Sequence, residues 1–415
     1  MLRIIHVAPT IGPRSFGVGR VATDLAKAQI ELGCRVEVWC LDDHEGAEWG
    51  ARAAGLPMDC VRRFSCSGFV PPGFSYELIR AANKGLLEGC QIIHQHGIWT
   101  GMSFAIVHWR RVVRFATIVA PHGSLSSWAL NRSRWKKRLA LWFYENANLQ
   151  GAAALHATAE QEVKDFRSFS LAQPIALIPN GASREWSASS GDGMRFRAEH
   201  QLPSGKRIML YMGRITPKKG LPLLLEAILR NRECFSDWLL VIIGSDEFGH
   251  LAEVMALVRQ YALHEQVTIL PPCFGQKKRD AFAAAEVMVL PSLSEGFPMV
   301  VLDALAVGVP VITTKECAWS ELLSHECGWW VDADVEGVAS ALRSACSLSA
   351  DRFRLMGARA QALVAAKYDW VALARQSIEL YRWVLGDGPQ PGCVTAKTCD
   401  SAAKPSRGAR CVPIG

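Results

Sequence analysis

Short apolar runs alternate with longer amphipathic stretches along most of the chain. In the first half the runs are "LRIIHVA", "RVEVWCL", "QIIHQH", "TIVAPHG", "ALHATA" and "IALIP". In the second half they are "RIMLYMG", "WLLVIIG", "QVTIL", "EVMVLP", "VPVITT" and "GWWV". Helix-length segments separate many of them, at 18–32, 101–114, 134–149, 219–230, 249–262 and 298–307. Strand–helix–strand alternation predicts an α/β protein: two Rossmann-like, doubly wound parallel sheets facing a central cleft. The expected division is a first domain over 1–186 and a second over 187–386, whose last helix is free to pack back on the first. A tail over 387–415 lacks apolar periodicity and is expected to be disordered. The run "SASSGDG", 187–193, is expected to be the hinge. Ligands of open α/β sheets bind beyond the C-terminal strand ends, so residues just after strands are the first functional candidates.

A chain of 415 residues is too long for one core and suits two. Half its residues are hydrophobic and 20% are charged, a globular balance. No apolar run reaches the roughly 18 to 20 residues of a membrane span. The opening "MLRIIHVAPTIGP" is too short in its apolar part for a secretory leader and reads as a first strand. Thirteen cysteines, scattered without CxxC pairs, fit a reducing cytosol and argue against a structural zinc.

The net charge of +7 is uneven: residues 1–186 carry 21 Lys/Arg against 15 Asp/Glu, and the remainder 25 against 24. Within 110–138 eight basic residues occur without an acid, so anionic partners are sought there first. The neighbouring "SRWKKRLALWFYENANL" sets Trp135, Leu139 and Trp142 or Phe143 at helical spacing. Two readings stay open: an apolar stripe in the core with solvated charges, or a basic–aromatic face for anionic lipid headgroups. No nucleic-acid recognition motif accompanies the patch, so nucleic acid is not an expected partner.

Two segments carry the strongest chemistry. In "GRITPKKGLPLLLEAI", Arg214 leaves a strand and Lys219 stands at a helix entrance, with Pro222 in the first turn. Two cations beside a helix N-terminus suit a diphosphate. In "LPSLSEGFPMVVLDALAVGVPVITT", Glu295 precedes a Gly296-Phe297-Pro298 turn and Asp303 lies about 7 Å along the following helix. Backbone N–H groups of the turn lie between the acids, which suits an elongated ligand with hydroxyls at both ends and phosphate between. The plain alternative is a first-turn acid favoured by the helix dipole and a surface aspartate.

Histidines end two strands, as His94 and His96 in "HQHGIW" and His122 in "APHGSLSSW". A metal site needs a third ligand, and no cluster with suitable spacing appears, so none is expected. "GVGRVA", with Gly17 and Gly19, formally matches a dinucleotide fingerprint, and Asp42 or Asp43 follows about twenty residues on. About eight residues separate the strand from Gly17, where the fingerprint turns at once, so a loop approaching phosphate across the cleft fits better.

"EGFPMVVLDALAVGVPVI" resembles the E-x7-E signature of glycosyltransferase family 4, retaining enzymes of the two-domain GT-B fold, with Asp303 where the family usually has Glu. "GRITPKKG" resembles its donor-phosphate motif, "IALIPNGA" the segment before its second domain, and "SFGVGRVATDLA" its N-terminal glycine loop. "TTKECAWSELLSHECGWWV" resembles a pattern of the bacterial exopolysaccharide-type and lipopolysaccharide-type group, with Ala318 in place of Pro. The resemblance implies that Arg214 and Lys219 hold the donor diphosphate, Glu295 meets the sugar and Asp303 the ribose. It implies Gly17, Gly19 and the Gly296-Phe297-Pro298 turn as further donor contacts, and His122 as the cleft histidine. His96 and Trp99 are acceptor-side candidates. It implies metal-independent transfer, without a cofactor, from a nucleotide diphosphate sugar to a sugar or lipid-linked acceptor on the cytoplasmic face of the membrane. An epimerase on the same fold and a non-catalytic nucleotide-sugar binder are the rival functions.

Overall fold

The computed structural model describes residues 1–15, 17–42, 44–66, 73–188 and 190–395. The first sheet contains β1 (Arg3–Val7), β2 (Arg35–Cys40), β3 (Val61–Arg63), β4 (Ile92–His96), β5 (Ala116–Ala120), β6 (Ala154–Ala157) and β7 (Ile175–Leu177). The second contains β8 (Arg207–Met212), β9 (Trp238–Ile243), β10 (Val267–Leu270), β11 (Val287–Leu290), β12 (Val311–Thr314) and β13 (Gly328–Val331). A last strand, β14 (Val394–Thr395), returns to the first sheet. The orders are β14-β7-β6-β5-β4-β1-β2-β3 and β10-β9-β8-β11-β12-β13, all parallel except the β14–β7 pair.

Each of the twelve apolar runs forms a strand. The two strands without such a run are edges: β3 carries one apolar residue and β14 spans two residues. The segment from 387, expected to be disordered, is described as far as Thr395, with Val394 opposite Ala176 and Val394 buried against the first core. Residues 396–415 lie outside the described residues. No helix among the described residues is long and apolar enough to cross a membrane.

The last helix, Trp370–Val384, packs on the first sheet, where Trp370, Leu373, Ala374, Leu380 and Tyr381 join the core of Ile4, Ala8 and Leu25. The chain therefore crosses between the domains twice. The crossings lie side by side, with Ala182 N–H donating to the Tyr368 carbonyl at 2.8 Å and Arg184 paired to Asp369 at 2.8 Å.

Of the expected hinge at 187–193, the part over 191–193 is instead fastened to the second domain. A Cβ on Gly191 would lie 2.1 Å from the Arg279 carbonyl oxygen, and one on Gly193 2.6 Å from that of Ala283. These glycines serve close approach to the helix Gly275–Ala284 rather than flexibility. Asp280 clamps the same segment, accepting from Asp192 N–H at 2.8 Å and pairing with Arg195 at 2.7 Å.

Candidate functional site in the interdomain cleft

A cleft of about 1050 Å³ lies between the C-terminal ends of the two sheets, lined by Gly17, Arg20, His122, Arg214, Lys219, Glu295 and Asp303 among others. The N-termini of the helices Val18–Glu31 and Met299–Ala306 open onto it from opposite sides. A Cβ on Gly17, whose φ is +117°, would come 3.6 Å from Met299 Cγ across the gap. One on Gly19 would strike the Thr10 carbonyl oxygen at 2.4 Å, so the glycine loop is folded tightly on the end of β1.

The second-domain wall is ionic. Lys219 ends the short turn Pro217–Lys219, and Gly220 follows with φ of 69°. A Cβ on Gly220 would sit 2.0 Å from the Pro291 carbonyl oxygen, so glycine there presses the lysine against the end of β11. Lys219 is 7% exposed, and its ammonium meets Glu295 at 2.8 Å; that of Lys218 stands 4.0 Å from the same carboxylate. Burial pushes the Glu295 carboxyl up, but Lys219 and Lys218 together hold it below its ordinary range. Pro298 is the N-cap of the helix rather than a first-turn residue. Phe297 packs its ring 4.9 Å from that of Trp319, leaving its backbone to the cleft.

Arg214 donates through Nη1 to both Glu247 oxygens, at 2.8 and 2.9 Å. Asp303 is 1% exposed and is not a surface aspartate. It accepts twice from Arg20 Nη1, at 2.8 and 2.9 Å, and from Lys278 Nζ at 2.5 Å. Burial raises its carboxyl, and the two cations overcome that and hold it below the ordinary range. Arg20 comes from the first domain, so this pair ties the domains together across the cleft.

Around His122 and Trp99 the first-domain wall is strained. His122 and Trp99 stand just beyond strand ends with φ of 51° and 68°, a left-handed backbone uncommon outside glycine. Two buried carboxylates hold these turns: Glu145 accepts Trp99 N–H at 2.7 Å, and Glu162 accepts Gly123 N–H. Gly123 faces the second domain directly, since a Cβ on Gly296 would come 3.6 Å from its Cα. That contact brings His122 and Glu295 to the same narrow part of the cleft. Asn180, of "IALIPNGA", also lines it, and its buried Oδ1 has no partner among the described residues.

His96 is wholly buried behind His122, with its Nδ1 3.1 Å from His122 Nε2, so it reaches the cleft through His122 and touches no acceptor itself. The structure does supply the third histidine that the spacing concealed: ring nitrogens of His6, His94 and His96 lie within 4.8 Å of one another. Both nitrogens of each ring are already hydrogen-bonded, so a metal ion there would have to break those contacts.

Asp42 accepts from Thr10 Oγ1 at 2.5 Å and Ile11 N–H at 2.6 Å, folding the loop after β1 instead of facing a ribose. Asp43 lies outside the described residues. Sequence reasoning missed Arg20, Lys278, Glu247, Lys218 and Glu162. Lys218 and Lys278 sat in visible "KK" runs and Arg20 inside the glycine loop "GVGRVA"; Glu247 and Glu162 carried no local signal.

The comparisons agree with this geometry. A family model described as "Glycosyl transferase 4-like domain" matches residues 16–181, and one described as "Glycosyl transferases group 1" matches 194–361. A D-inositol 3-phosphate glycosyltransferase of Arthrobacter sp. is 32% identical over 194 residues, 45% of each chain. The chain thus matches such curated relatives over about half their length. Among solved structures, a sucrose-phosphate synthase from Thermosynechococcus elongatus aligns with a TM-score of 0.72 at 21% identity, over 93% of this chain and 100% of that one. Anabaena HepE in complex with UDP and glucose aligns with a TM-score of 0.73 at 18% identity, over 92% and 99%. With two sheets facing a cleft and both halves matched in order, the chain belongs to the family 4 glycosyltransferases of the GT-B fold.

Proposed function

We propose that this chain is a retaining glycosyltransferase moving a sugar from a nucleotide diphosphate sugar to an acceptor hydroxyl, without a metal ion. The observation that carries the reading is the buried Lys219–Glu295 pair, flanked by Lys218 and set opposite His122. Two lysines and a helix N-terminus stabilise the charge that develops on a departing diphosphate, the effect that usually dominates such catalysis. Glu295, held ionised by those lysines, accepts hydrogen bonds from hydroxyls of the donor sugar. The departing phosphate takes the proton of the attacking hydroxyl on the same face, so the anomeric configuration is kept. HepE, of the same fold, is in complex with UDP and glucose, which supports a nucleoside diphosphate sugar as the ligand class.

The acceptor is lipid-linked, or a polysaccharide precursor of the cell surface, and is met at the cytoplasmic face of a membrane. Trp135, Leu139, Trp142 and Phe143 are 65%, 48%, 77% and 65% exposed, so the stripe is a surface and not a core. A π-helical turn, Leu141–Glu145, rotates Trp142 and Phe143 outward while Glu145 stays buried. The patch is continuous with the cleft, because Lys218 lies over the Trp128 ring at 5.1 Å and Lys137 over that of Trp99 at 5.8 Å. Cations beside exposed aromatic rings attract anionic headgroups by about 1 kcal/mol each, less as salt screens them.

The test incubates the purified chain with uridine, guanosine and adenosine diphosphate sugars, with and without chelator. One nucleoside diphosphate should bind tightly, and transfer should resist chelation and keep the anomeric configuration. Free nucleotide with an epimerised sugar and no acceptor would mark an epimerase; binding without turnover would mark a binding protein. Cosedimentation with liposomes should rise with anionic lipid and fall with salt and with joint neutralisation of Lys136, Lys137 and Arg138. Full recovery in the supernatant at every composition would leave a soluble acceptor.

A further inference from the structure

Behind His122, buried polar groups of the first sheet and of the helices Val18–Glu31 and Trp370–Val384 form one continuous line of hydrogen bonds, ending at a backbone carbonyl. His156 Nε2 lies 2.7 Å from the Ile178 oxygen, and His156 Nδ1 lies 3.1 Å from His94 Nε2. His94 Nδ1 lies 2.7 Å from the Tyr381 hydroxyl, which accepts from Gln29 Nε2 at 3.1 Å. Gln29 Oε1 lies 2.8 Å from His6 Nε2, and His6 Nδ1 lies 2.9 Å from His96 Nε2. His96 Nδ1 then meets His122 Nε2 at 3.1 Å.

A carbonyl only accepts, and a neutral imidazole has one donor and one acceptor nitrogen. His156 must therefore donate through Nε2 and accept through Nδ1, which obliges His94 to carry its proton on Nε2. Tyr381 must then donate to His94 Nδ1, leaving its oxygen to accept from the Gln29 amide nitrogen. That orients the Gln29 carbonyl toward His6, and the same logic places the protons of His6, His96 and His122 on Nε2. Burial lowers all five rings below the ordinary imidazole range, joined at His6, His94, His96 and His122 by the charge that neighbouring histidines would carry, and keeps them neutral.

We propose that this line, anchored at the Ile178 carbonyl, fixes the tautomer of His122 so that its remaining nitrogen, Nδ1, is presented to the cleft as a hydrogen-bond acceptor for a ligand hydroxyl. His122 lines the cleft, and its Nδ1 has no partner among the described residues. The line cannot pass a proton onward, because its far end has none to give or room to take one; it sets polarity. Tyr381, on the helix Trp370–Val384, and Gln29, on the helix Val18–Glu31, are thus positioning residues that act on the cleft through His122. An acceptor nitrogen repels phosphate oxygens and attracts hydroxyls, so this wall reads the sugar while the lysine wall takes the diphosphate. This assignment of the ligand rests on the proposed transferase reading; the tautomer does not.

The experiment is nitrogen NMR of the full chain labelled with ¹⁵N-histidine, with His122 assigned from the spectrum of His122→Asn. Wild type should show a pyrrole-type Nε2 and a pyridine-type Nδ1 at His122; the reverse, or an imidazolium at neutral pH, would overturn the proposal. Tyr381→Phe unties Gln29 from the carbonyl end and lets its amide turn over, so a second His122 tautomer should appear. With it, kcat/KM for the donor sugar nucleotide should fall about twofold for an even mixture and about tenfold for full reversal, with nucleoside diphosphate affinity unchanged. A single unchanged tautomer in Tyr381→Phe, or an unchanged kcat/KM with two, would refute the relay. Should that variant fold poorly, His156→Phe breaks the line at its opposite end and must give the same mixture. Absence of turnover in wild type would count against the transferase reading alone, since the tautomer is read without substrate.

Discussion

The two walls of the cleft bury ionisable groups in opposite ways. The second-domain wall keeps its charges and pairs them: Glu295 with Lys219, Arg214 with Glu247, Asp303 with Lys278 and with Arg20 from across the cleft. Around His122 the first-domain wall instead gives up charge, with four further histidines behind that ring held neutral with it in a hydrogen-bonded line. Pairing offsets part of the desolvation cost of a buried charge and leaves its cations able to be re-partnered by an anion, whereas neutral polar groups discriminate donors from acceptors. A diphosphate sugar has an anionic part and a hydroxylated part, and each wall suits one of them.

The sharpest way to break this contrast is Lys219→Ala. It removes a phosphate-binding cation and strands Glu295 in a buried site, with Lys218 alone at 4.0 Å. Transfer should fall about tenfold to a hundredfold, since a charged contact contributes about 1.5 to 3 kcal/mol. Steady-state kinetics beside a thermal melt check it; near-normal turnover would remove Lys219 from the donor site. Glu295→Gln tests the sugar end of the same wall. It should lower kcat by about tenfold while nucleoside diphosphate binding, followed by calorimetry, holds or strengthens as the two lysines are released. A parallel loss of nucleotide affinity would show that Glu295 serves the phosphate.

Acid separates the walls next. His156 is pushed by burial down to about 4 from an ordinary value of 6.5. The unfolded chain takes up that proton first, so the stability tied to neutral His156 is whole above about 6.5 and lost as pH falls toward about 4. Glu295 and Asp303 are depressed as well, but from lower ordinary values, so their contributions start to be lost only as pH falls through the ordinary carboxylate range. Asp24, raised to about 6 by burial against the pull of Arg20, works in the opposite sense, so total stability mixes these effects. The difference in Tm between wild type and His156→Phe isolates one histidine, and it should narrow from neutral pH to about 4. A constant difference would mean that His156 is not held neutral.

The smallest effect is expected from Arg20→Ala, which cuts the pair joining the domains but leaves Lys278 on Asp303. The free protein should widen in small-angle scattering, while nucleoside diphosphate affinity changes by less than about threefold, because Lys278 still neutralises Asp303 once Arg20 is gone. An unchanged scattering curve would show that Arg20 does not hold the cleft closed.

Much of this molecule could be read along the chain. The strands were legible because parallel strands buried on both faces are short and almost wholly apolar, as in "VMVL" and "WLLVII". Lys219, Glu295, Gly296 and Asp303 all line the cleft; the strand-end rule pointed to Lys219, whereas spacing alone left Glu295 and Asp303 open to a plain helix reading and only the family resemblance singled them out. The aromatic stripe of 135–143 was not, since helical spacing is the same whether the face meets a core or water. The hinge was misread because glycine marks close packing as readily as flexibility, and only Arg279 and Ala283 reveal which applies at Gly191 and Gly193.

Local pattern determined two α/β domains, the strand order of events along the chain and the ends where chemistry gathers, because these depend on the periodicity of neighbouring residues. The partners of each charge, and the direction of each proton, were decided by folding. Arg20 reaches Asp303 across 283 positions and Gln29 reaches Tyr381 across 352. Neither acidity nor tautomer belongs to a residue type; both are set by which groups the tertiary structure places within hydrogen-bond reach and how much water it removes from them.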